Sequence, residues 1–427
     1  MKTPLYEAVK QFAERQNNIS FHMPSHFVDD GSLYLSAKYD LTELEGLDNL
    51  MHPKGVIAEA EKLLADTYKS NACLMLTGGA TEGILIALYM ASQISKKIII
   101  ESTAHVSVYN GIRLFNLEPI ILRTRYDADG LPLPVDIGAL KAAIEQTPTA
   151  SVLVTTPNYF GRVAELEQVK KSIKGLFIAD GAHGAHFPYS KLLPKGAYEY
   201  ADLCVCGMHK TLPCYTGSAV LCVGKSELAE CARSARLLLQ STSPSYVIMA
   251  SIDYARGVMS DNGAEWYESL KKEIDNIEHV KTDDFTRLVL DGGNGRALER
   301  YLAAQGIVCE FSFGRFAVLI TKPKDENNLV KVKEALKGYY CGDTADVLEN
   351  FEVERAMSYN AALNARQEVA ELNKAVGRIA GQNVGLYPPA SPIIIAGDKI
   401  SEEQIRFLKK QTYGVYGLAN GGLCVLK

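Results

Sequence analysis

Short apolar runs that each end in polar residues are the feature of this sequence that most restricts its fold. Four of these runs are followed by residues that can take part in chemistry: 98–100 by His105, 151–154 by Asn158, 176–179 by Asp180, and 203–206 by His209 and Lys210. Continuous apolar runs of this length are typical of strands buried on both faces, as in a parallel sheet covered by helices. Helical patterns lie between them, for example at 57–69 and 140–146. We therefore predict an α/β fold with a ligand site beyond the carboxyl ends of the strands.

Composition excludes several classes of protein. Of the 427 residues, 47% are hydrophobic and 22% are charged, which is ordinary globular usage and excludes a disordered chain. The formal net charge of −5 gives no electrostatic footprint for nucleic acid or for an anionic membrane. The sequence has no apolar run long enough to span a bilayer and no apolar signal core near its start. We therefore expect a cytoplasmic protein with reduced thiols.

A glycine-rich segment, 76–83, comes directly before an apolar helix candidate at 84–90. Glycines permit close approach of the backbone, Thr81 offers a hydroxyl, and the N–H groups at a helix start favour an anion. The segment lacks the Gly-Lys-Ser/Thr ending of a nucleotide-binding loop. It is consistent with a phosphate cradle, although a tight turn without a ligand explains it equally well.

A functional role for Lys210 is favoured by the residues that end the neighbouring strands. Asp180 ends a neighbouring apolar strand, where a carboxylate is costly unless it is paired, and His105 ends a third strand. A lysine for covalent attachment, an aspartate for a ring nitrogen, an imidazole for a ring face and a phosphate cradle together describe a pyridoxal phosphate site. We expect no metal: Cys204, Cys206 and Cys214 lack a Cys-x-x-Cys partner and are more simply explained as buried thiols.

The sequence resembles group III of the ornithine/lysine/arginine decarboxylase family, in the aspartate-aminotransferase fold class. The stretches that carry the resemblance run along most of the chain: 21–24 (FHMP), 179–187 (ADGAHGAHF), 208–212 (MHKTL), 241–246 (STSPSY), 377–379 (GRI) and 387–389 (YPP). The resemblance implies the fold type I architecture of pyridoxal phosphate enzymes. Its large domain has a mostly parallel seven-stranded sheet flanked by helices, and a smaller C-terminal α+β domain follows.

The resemblance also implies roles for particular residues. Lys210 corresponds to the lysine that forms a Schiff base with the cofactor, Asp180 to the carboxylate at the pyridine nitrogen, and His105 to the histidine stacked on the ring. Further cofactor contacts are implied for Gly79, Ala80, Thr81, Asn158, Ala182, His183 and His209. His183 and His186 are spaced like metal ligands on a helix, but the match favours a cofactor role. Ser241 and Thr242 are expected to reach the phosphate of a neighbouring subunit, in a homodimer or larger homo-oligomer with shared sites.

The implied activity is decarboxylation of an amino acid, with lysine, arginine and ornithine as the family's substrates, in polyamine metabolism. Carbon dioxide and an amine would be released through an external aldimine. Aminotransfer, another lyase reaction on a modified amino acid, and a catalytically inert relative stay open as alternatives. Asp398 and Glu43 are candidates for the distal cation of a basic substrate. Arg378 could hold a carboxylate or form a salt bridge within the small domain.

Some substrate-facing positions depart from the family pattern. Phe27, Gly181, Ala390 and Ser391 replace typical residues, so we expect activity on the three ordinary substrates to be weak more often than the fold match suggests. For the domains we predict an N-terminal arm at 1–40, a large domain at 41–260 and a small domain at 261–427. The boundary is set at Asp261-Asn262-Gly263, because the character of the sequence changes there and a charged helical stretch follows.

Overall fold

A seven-stranded sheet dominates the first half of the computed structural model, which describes residues 19–21, 41–345, 350, 352–387, 391–410 and 414–427. Strand β1 (Ile19–Phe21) precedes it, and its own strands are β2 (Ala72–Leu76), β3 (Lys97–Glu101), β4 (Glu118–Leu122), β5 (Ser151–Thr155), β6 (Phe177–Asp180), β7 (Leu203–Cys206) and β8 (Ala219–Val223). The strand order is β2-β8-β7-β6-β5-β3-β4. Only β8 runs antiparallel to its neighbours, β2 and β7. The predicted mostly parallel seven-stranded sheet is confirmed.

Helices cover both faces of this sheet. They are α1 (Val56–Thr67), α2 (Gly79–Ile94), α3 (Val106–Leu114), α4 (Ile137–Gln146), α5 (Met208–Thr211), α6 (Ala229–Leu239) and α7 (Tyr246–Ile274). Successive residues of β5 enter different cores: Val152 and Val154 pack on the side of α1 and α7, and Leu153 packs on the side of α2 and α3. The strands are therefore buried on both faces, which is why their sequences are continuously apolar.

The C-terminal part has smaller sheets and fewer helices. Its strands are β9 (Arg287–Asp291), β10 (Ile307–Cys309), β11 (Phe311–Phe313), β12 (Phe316–Ile320), β13 (Gln367–Ala370), β14 (Val384–Leu386), β15 (Ser391–Ile394), β16 (Val415–Tyr416) and β17 (Leu423–Leu426). Its helices are α8 (Gly295–Ala304), α9 (Glu326–Lys337), α10 (Tyr359–Asn364) and α11 (Glu402–Lys410). Antiparallel pairing joins β9, β11 and β12 into one sheet, β14, β15 and β16 into another, and β13 with β17. The predicted α+β C-terminal domain is thereby confirmed.

The domain boundary predicted at Asp261–Gly263 falls inside α7, which continues for 29 residues, and it stays a prediction. Buried residues at helical spacing, among them Met259 and Tyr267, carry the helix through this point. A Cβ on Gly263 would lie 2.8 Å from the Cβ of Tyr189, so glycine here permits close packing rather than a turn. The predicted N-terminal arm lies outside the described residues except for β1, which pairs in parallel with β10.

Candidate active site

A cavity of about 350 Å³ lies beyond the carboxyl ends of β3, β5 and β6. Its floor comes from the large sheet, and part of its wall comes from Phe313, Leu386, Pro392 and Ile393 of the C-terminal part. The predicted residues that line it are Gly79, Ala80, Thr81, His105, Asn158, Asp180, Ala182, His183, His209 and Lys210. The structure therefore brings residues from separate strand ends into one place, as the sequence pattern indicates.

The N-terminus of α2 forms one wall of this cavity. Its helical part begins at Gly79, and Gly78 at the cap position provides no side-chain hydrogen bond to the first turn. The N–H groups in the first turn of a helix have no acceptor within the helix, and the helix dipole favours an anion there. Ala80 and Thr81 occupy this turn and face the cavity. The arrangement suits a phosphate group.

Asp180, at the end of β6, is only 4% exposed and accepts a hydrogen bond from the N–H of Ala182 at 3.2 Å. A second buried carboxyl group lines the same cavity, Glu101 at the end of β3, whose Oε2 accepts a hydrogen bond from the N–H of Thr155 at 2.9 Å. The pKa of Glu101 is raised to about 7, mainly by burial and to a smaller extent by the negative charge of Asp180. Glu101 was not among the predicted site residues, although it follows an apolar run in the same way as Asp180 does.

Lys210 lies in the short helix α5, which follows β7. Its Nζ is 3.1 Å from Nε2 of His183. Burial lowers the pKa of Lys210, and the guanidinium of Arg287 lowers it further, whereas Asp180 acts in the opposite direction. The lysine is therefore less readily protonated than an exposed one.

His105 caps the N-terminus of α3. The N–H of Ser107 donates to its Nδ1 at 3.2 Å, so Nδ1 carries no proton and Nε2 carries the hydrogen of the neutral ring. Burial lowers the pKa of His105, which favours that neutral form. Asn158 lines the cavity, while its Oδ1 accepts from the N–H groups of Phe160 and Arg162 and so shapes the loop after β5.

Two charged residues of the C-terminal part approach the site without having been predicted. Arg287, at the start of β9, is 1% exposed, and its Nη2 lies 3.3 Å from Nδ1 of His183. Glu310 accepts a hydrogen bond at 2.6 Å from the hydroxyl of Tyr159, whose ring packs edge-on against His183. An arginine at the head of the apolar strand sequence 287–290 is the signal that could have identified Arg287.

The two residues with a predicted role across a subunit interface lie outside the chain's own cavity. Ser241 and Thr242 are exposed, directly after α6. Nearby Leu238 exposes 65% of its surface. Their part in a neighbouring site stays a prediction.

The three candidate substrate-binding residues have other positions. Asp398 is fully buried, and its Oδ1 is 2.5 Å from Nη2 of Arg123 and 2.9 Å from Nη1 of Arg355. Nη2 of Arg378 pairs with Glu368 at 2.8 Å, which is the salt bridge within the small domain that the sequence left open. Glu43 is exposed. Asp398 and Arg378 already have charged partners within the chain. None of the three residues lines the described cavity, so we leave them out of the proposed substrate site.

The part of the chain that the structure describes contains no group of three or more histidine, cysteine or acidic residues arranged to hold a metal ion. The thiols of Cys204 and Cys206 lie 3.9 Å apart in the core. Within the same described ranges, none of the helices combines the length and the apolar character needed to cross a bilayer.

Comparison with known families gives a match over most of the chain. The model described as Orn/Lys/Arg decarboxylase, major domain, matches residues 3–291, and the one described as Orn/Lys/Arg decarboxylase, C-terminal domain, matches residues 342–414. The chain belongs to the Orn/Lys/Arg decarboxylase family. The resemblance found in the sequence is confirmed, and so is the predicted class of function, an amino-acid decarboxylase of the Orn/Lys/Arg type.

Individual relatives agree with this assignment. An uncharacterized protein of Bacillus subtilis (strain 168), YaaO, is 30% identical over 96% of this chain and 94% of its own length. An arginine decarboxylase of Bacillus anthracis is 27% identical over 96% of this chain and 93% of its own length. The solved structure of the Escherichia coli constitutive lysine decarboxylase superposes with a TM-score of 0.72 at 16% identity, covering 100% of this chain and 82% of that one. That likeness concerns the fold alone, and it confirms the predicted fold class.

Proposed function

We propose that this protein is a pyridoxal phosphate-dependent decarboxylase of a basic amino acid, and that Lys210, Asp180 and His105 are its catalytic residues. The observation that carries the proposal is the convergence of these three side chains with the N-terminus of α2 on one cavity. The family match supports decarboxylation, and the arginine decarboxylase relative supports a basic substrate.

The residues that line the cavity fit this cofactor. The backbone N–H groups of Ala80 and Thr81 in the first turn of α2 would bind a phosphate dianion, whereas the N–H of Gly79 already donates to the carbonyl oxygen of Gly217 at 2.7 Å. A buried carboxylate such as Asp180 is costly unless it faces a cation or a donor, and a protonated ring nitrogen supplies both. A buried lysine whose pKa is lowered is suited to covalent attachment to an aldehyde.

When bound, pyridoxal phosphate supplies an acceptor for the electron pair that remains as the bond between the substrate's α-carbon and its carboxylate breaks. Asp180 would hold the proton at the ring nitrogen and so keep that acceptor strong. His105 presents Nε2–H toward the cavity because its Nδ1 is held by Ser107. Either this Nε2–H or Nζ of Lys210 delivers the proton that replaces carbon dioxide on the α-carbon. The apolar wall at Phe313 and Leu386 excludes water from that position.

We further propose a homodimer, or a larger homo-oligomer, in which Ser241 and Thr242 reach the neighbouring subunit's phosphate. The exposure of both residues, outside their own chain's cavity, supports this assembly. Sedimentation equilibrium tests it, and an active monomer would contradict it. A cytoplasmic location in polyamine metabolism completes the proposal, supported by nine cysteines that form no disulfide.

The deciding experiment measures carbon dioxide release from arginine, lysine and ornithine by the protein loaded with pyridoxal phosphate. Lys210→Ala should abolish release, and borohydride reduction should fix the cofactor's mass on the wild-type peptide that contains Lys210. Lys191→Ala, at an exposed position, is the matched control and should behave as wild type. Production of a keto acid in place of carbon dioxide would indicate an aminotransferase, and release that persists in Lys210→Ala would remove Lys210 from the mechanism.

A further inference from the structure

Arg287 is a buried cation that the mechanism above does not use. Its Nη2 lies 3.3 Å from Nδ1 of His183 and 3.3 Å from the carbonyl oxygen of the same residue. Its Nε and Nη1 have no hydrogen-bond partner among the described residues. Gly161, at φ +82°, lies against the arginine stem, and a Cβ there would be 2.8 Å from Cγ of Arg287. The chain therefore makes room for an arginine that is costly to bury, which calls for a functional reason.

The contact with His183 determines where the histidine ring can carry its hydrogen. A guanidinium group has only donors, so Nδ1 of His183 must accept, and the neutral ring then carries its hydrogen on Nε2. That Nε2 faces Nζ of Lys210 at 3.1 Å. A hydrogen bond from Nε2–H requires a lone pair on Nζ, which a neutral amine has and an ammonium group lacks.

We propose that Arg287 is a positioning residue that fixes His183 in the Nε2–H form and thereby holds Lys210 as a neutral amine before the cofactor binds. The inference rests on the proposed role of Lys210 and adds a residue from the C-terminal part to that site. The neutral amine uses its lone pair to attack the aldehyde carbon of pyridoxal phosphate. A carbon–nitrogen bond forms, the nitrogen gives up its two protons, and the aldehyde oxygen leaves as water.

Burial outweighs the opposing charges around Lys210. Burial is the largest influence that lowers the pKa of Lys210, and Arg287 adds to it. Asp180 and Glu310 oppose this effect by stabilising the ammonium form. Burial and Arg287 together outweigh the two carboxylates. The neutral amine form is therefore more populated in Lys210 than in an exposed lysine.

The charges around His183 also favour its neutral form. Burial lowers the pKa of His183 well below its usual range, and the positive charge of Arg287 lowers it further. A cationic imidazolium would place a second donor, Nδ1–H, against the guanidinium of Arg287 and would remove the acceptor that the guanidinium needs. The neutral ring with hydrogen on Nε2 is the one form that satisfies both of its neighbours.

The test uses the apoprotein, without cofactor or substrate. In protein labelled with ¹⁵N at histidine, His183 should show a protonated Nε2 and an unprotonated Nδ1, with its signals assigned by their loss in His183→Gln. Arg287→Met should abolish this preference, and Arg287→Lys, which retains a charged donor, should restore it. Arg315→Met removes an arginine that pairs with Asp291 at the far end of β9, and it should leave the tautomer unchanged.

The second measurement is the rate at which acetic anhydride acetylates Lys210, quantified by mass spectrometry of its peptide across a pH series. Near neutral pH we expect Arg287→Met to slow this reaction roughly tenfold, which corresponds to a rise of about one in the pKa of the amine. Arg287→Lys and Arg315→Met should stay close to wild type.

Three outcomes would overturn the inference: a proton on Nδ1 in the wild type, an unchanged tautomer in Arg287→Met, or an unchanged labelling rate in that variant. If Arg287→Met does not fold, the wild-type tautomer alone decides. Failure of carbon dioxide release with this tautomer intact would count against the proposed function and leave the relation among the three residues standing.

Discussion

Replacing Glu101 by glutamine should remove a pH-dependent cost of folding. Glu101 is 5% exposed, and its Oε2 accepts the N–H of Thr155, a bond that the amide oxygen of glutamine can also accept. Burial, with a smaller contribution from Asp180, raises its pKa to about 7. The folded protein therefore holds a proton on Glu101 at pH values where the unfolded chain has already released it.

The size of this effect follows from the difference between the two states. The pKa rises from 4.5 in an ordinary glutamate to about 7, and one pH unit is worth about 1.4 kcal/mol, so the full effect is about 3.5 kcal/mol. Because the folded pKa is the higher one, stability is lost as pH increases from about 4.5 to about 7. Most of this, about 2.5 kcal/mol, should fall between pH of about 5 and about 8. Glutamine does not ionise and contributes no such loss.

Urea unfolding of the apoprotein at fixed protein concentration, in a series of buffers, measures the free energy of unfolding of both proteins. Relative to wild type, the free energy of unfolding of Glu101→Gln should increase by about 2.5 kcal/mol as the pH is raised across this window. Other buried carboxyl groups, such as Glu82, contribute equally to both proteins and cancel. Glu145→Gln, on the exposed face of α4, should follow the wild-type curve. Parallel curves for wild type and Glu101→Gln would refute the reasoning.

Two further substitutions test the site and its surroundings. Asp180→Asn should retain attachment of the cofactor to Lys210 but lower turnover by roughly a hundredfold, the scale on which loss of one charge-stabilising group acts; near-normal carbon dioxide release would mean that the ring nitrogen is held in another way. Asp398→Ala leaves Arg123 and Arg355 without their shared carboxylate and should reduce the free energy of unfolding by about 3 kcal/mol in urea denaturation. An unchanged midpoint would show that this ion cluster is not stabilising.

The sequence was a good guide to the sheet because one physical cause dominates there. A strand buried on both faces must be apolar throughout, so the run 203–206 coincides with β7 and the run 151–154 falls within β5. The same reasoning located the edge at which Asp180 and Lys210 meet, since parallel strands end on one side of a sheet.

Local signals were misleading where tertiary packing prevails. Asp261, Asn262 and Gly263 favour a turn, yet the buried face of α7 carries the helix through them. Arg287 reaches the site from a strand more than seventy residues beyond Lys210, and no local pattern indicates which histidine it meets. Asp398 was a reasonable partner for a substrate cation until the fold supplied two arginines for it.

The division of the cavity between early and late parts of the chain has a consequence for synthesis on the ribosome. The helix start at Gly79 and the amine of Lys210 emerge well before Arg287, and the wall at Pro392 and Ile393 emerges last. A nascent chain therefore has its anion cradle and its lysine long before the enclosure that keeps water out. Enzymatic competence should arise only after Pro392 and Ile393 have emerged, so a shorter nascent chain would have the reactive amine without the shelter that directs it.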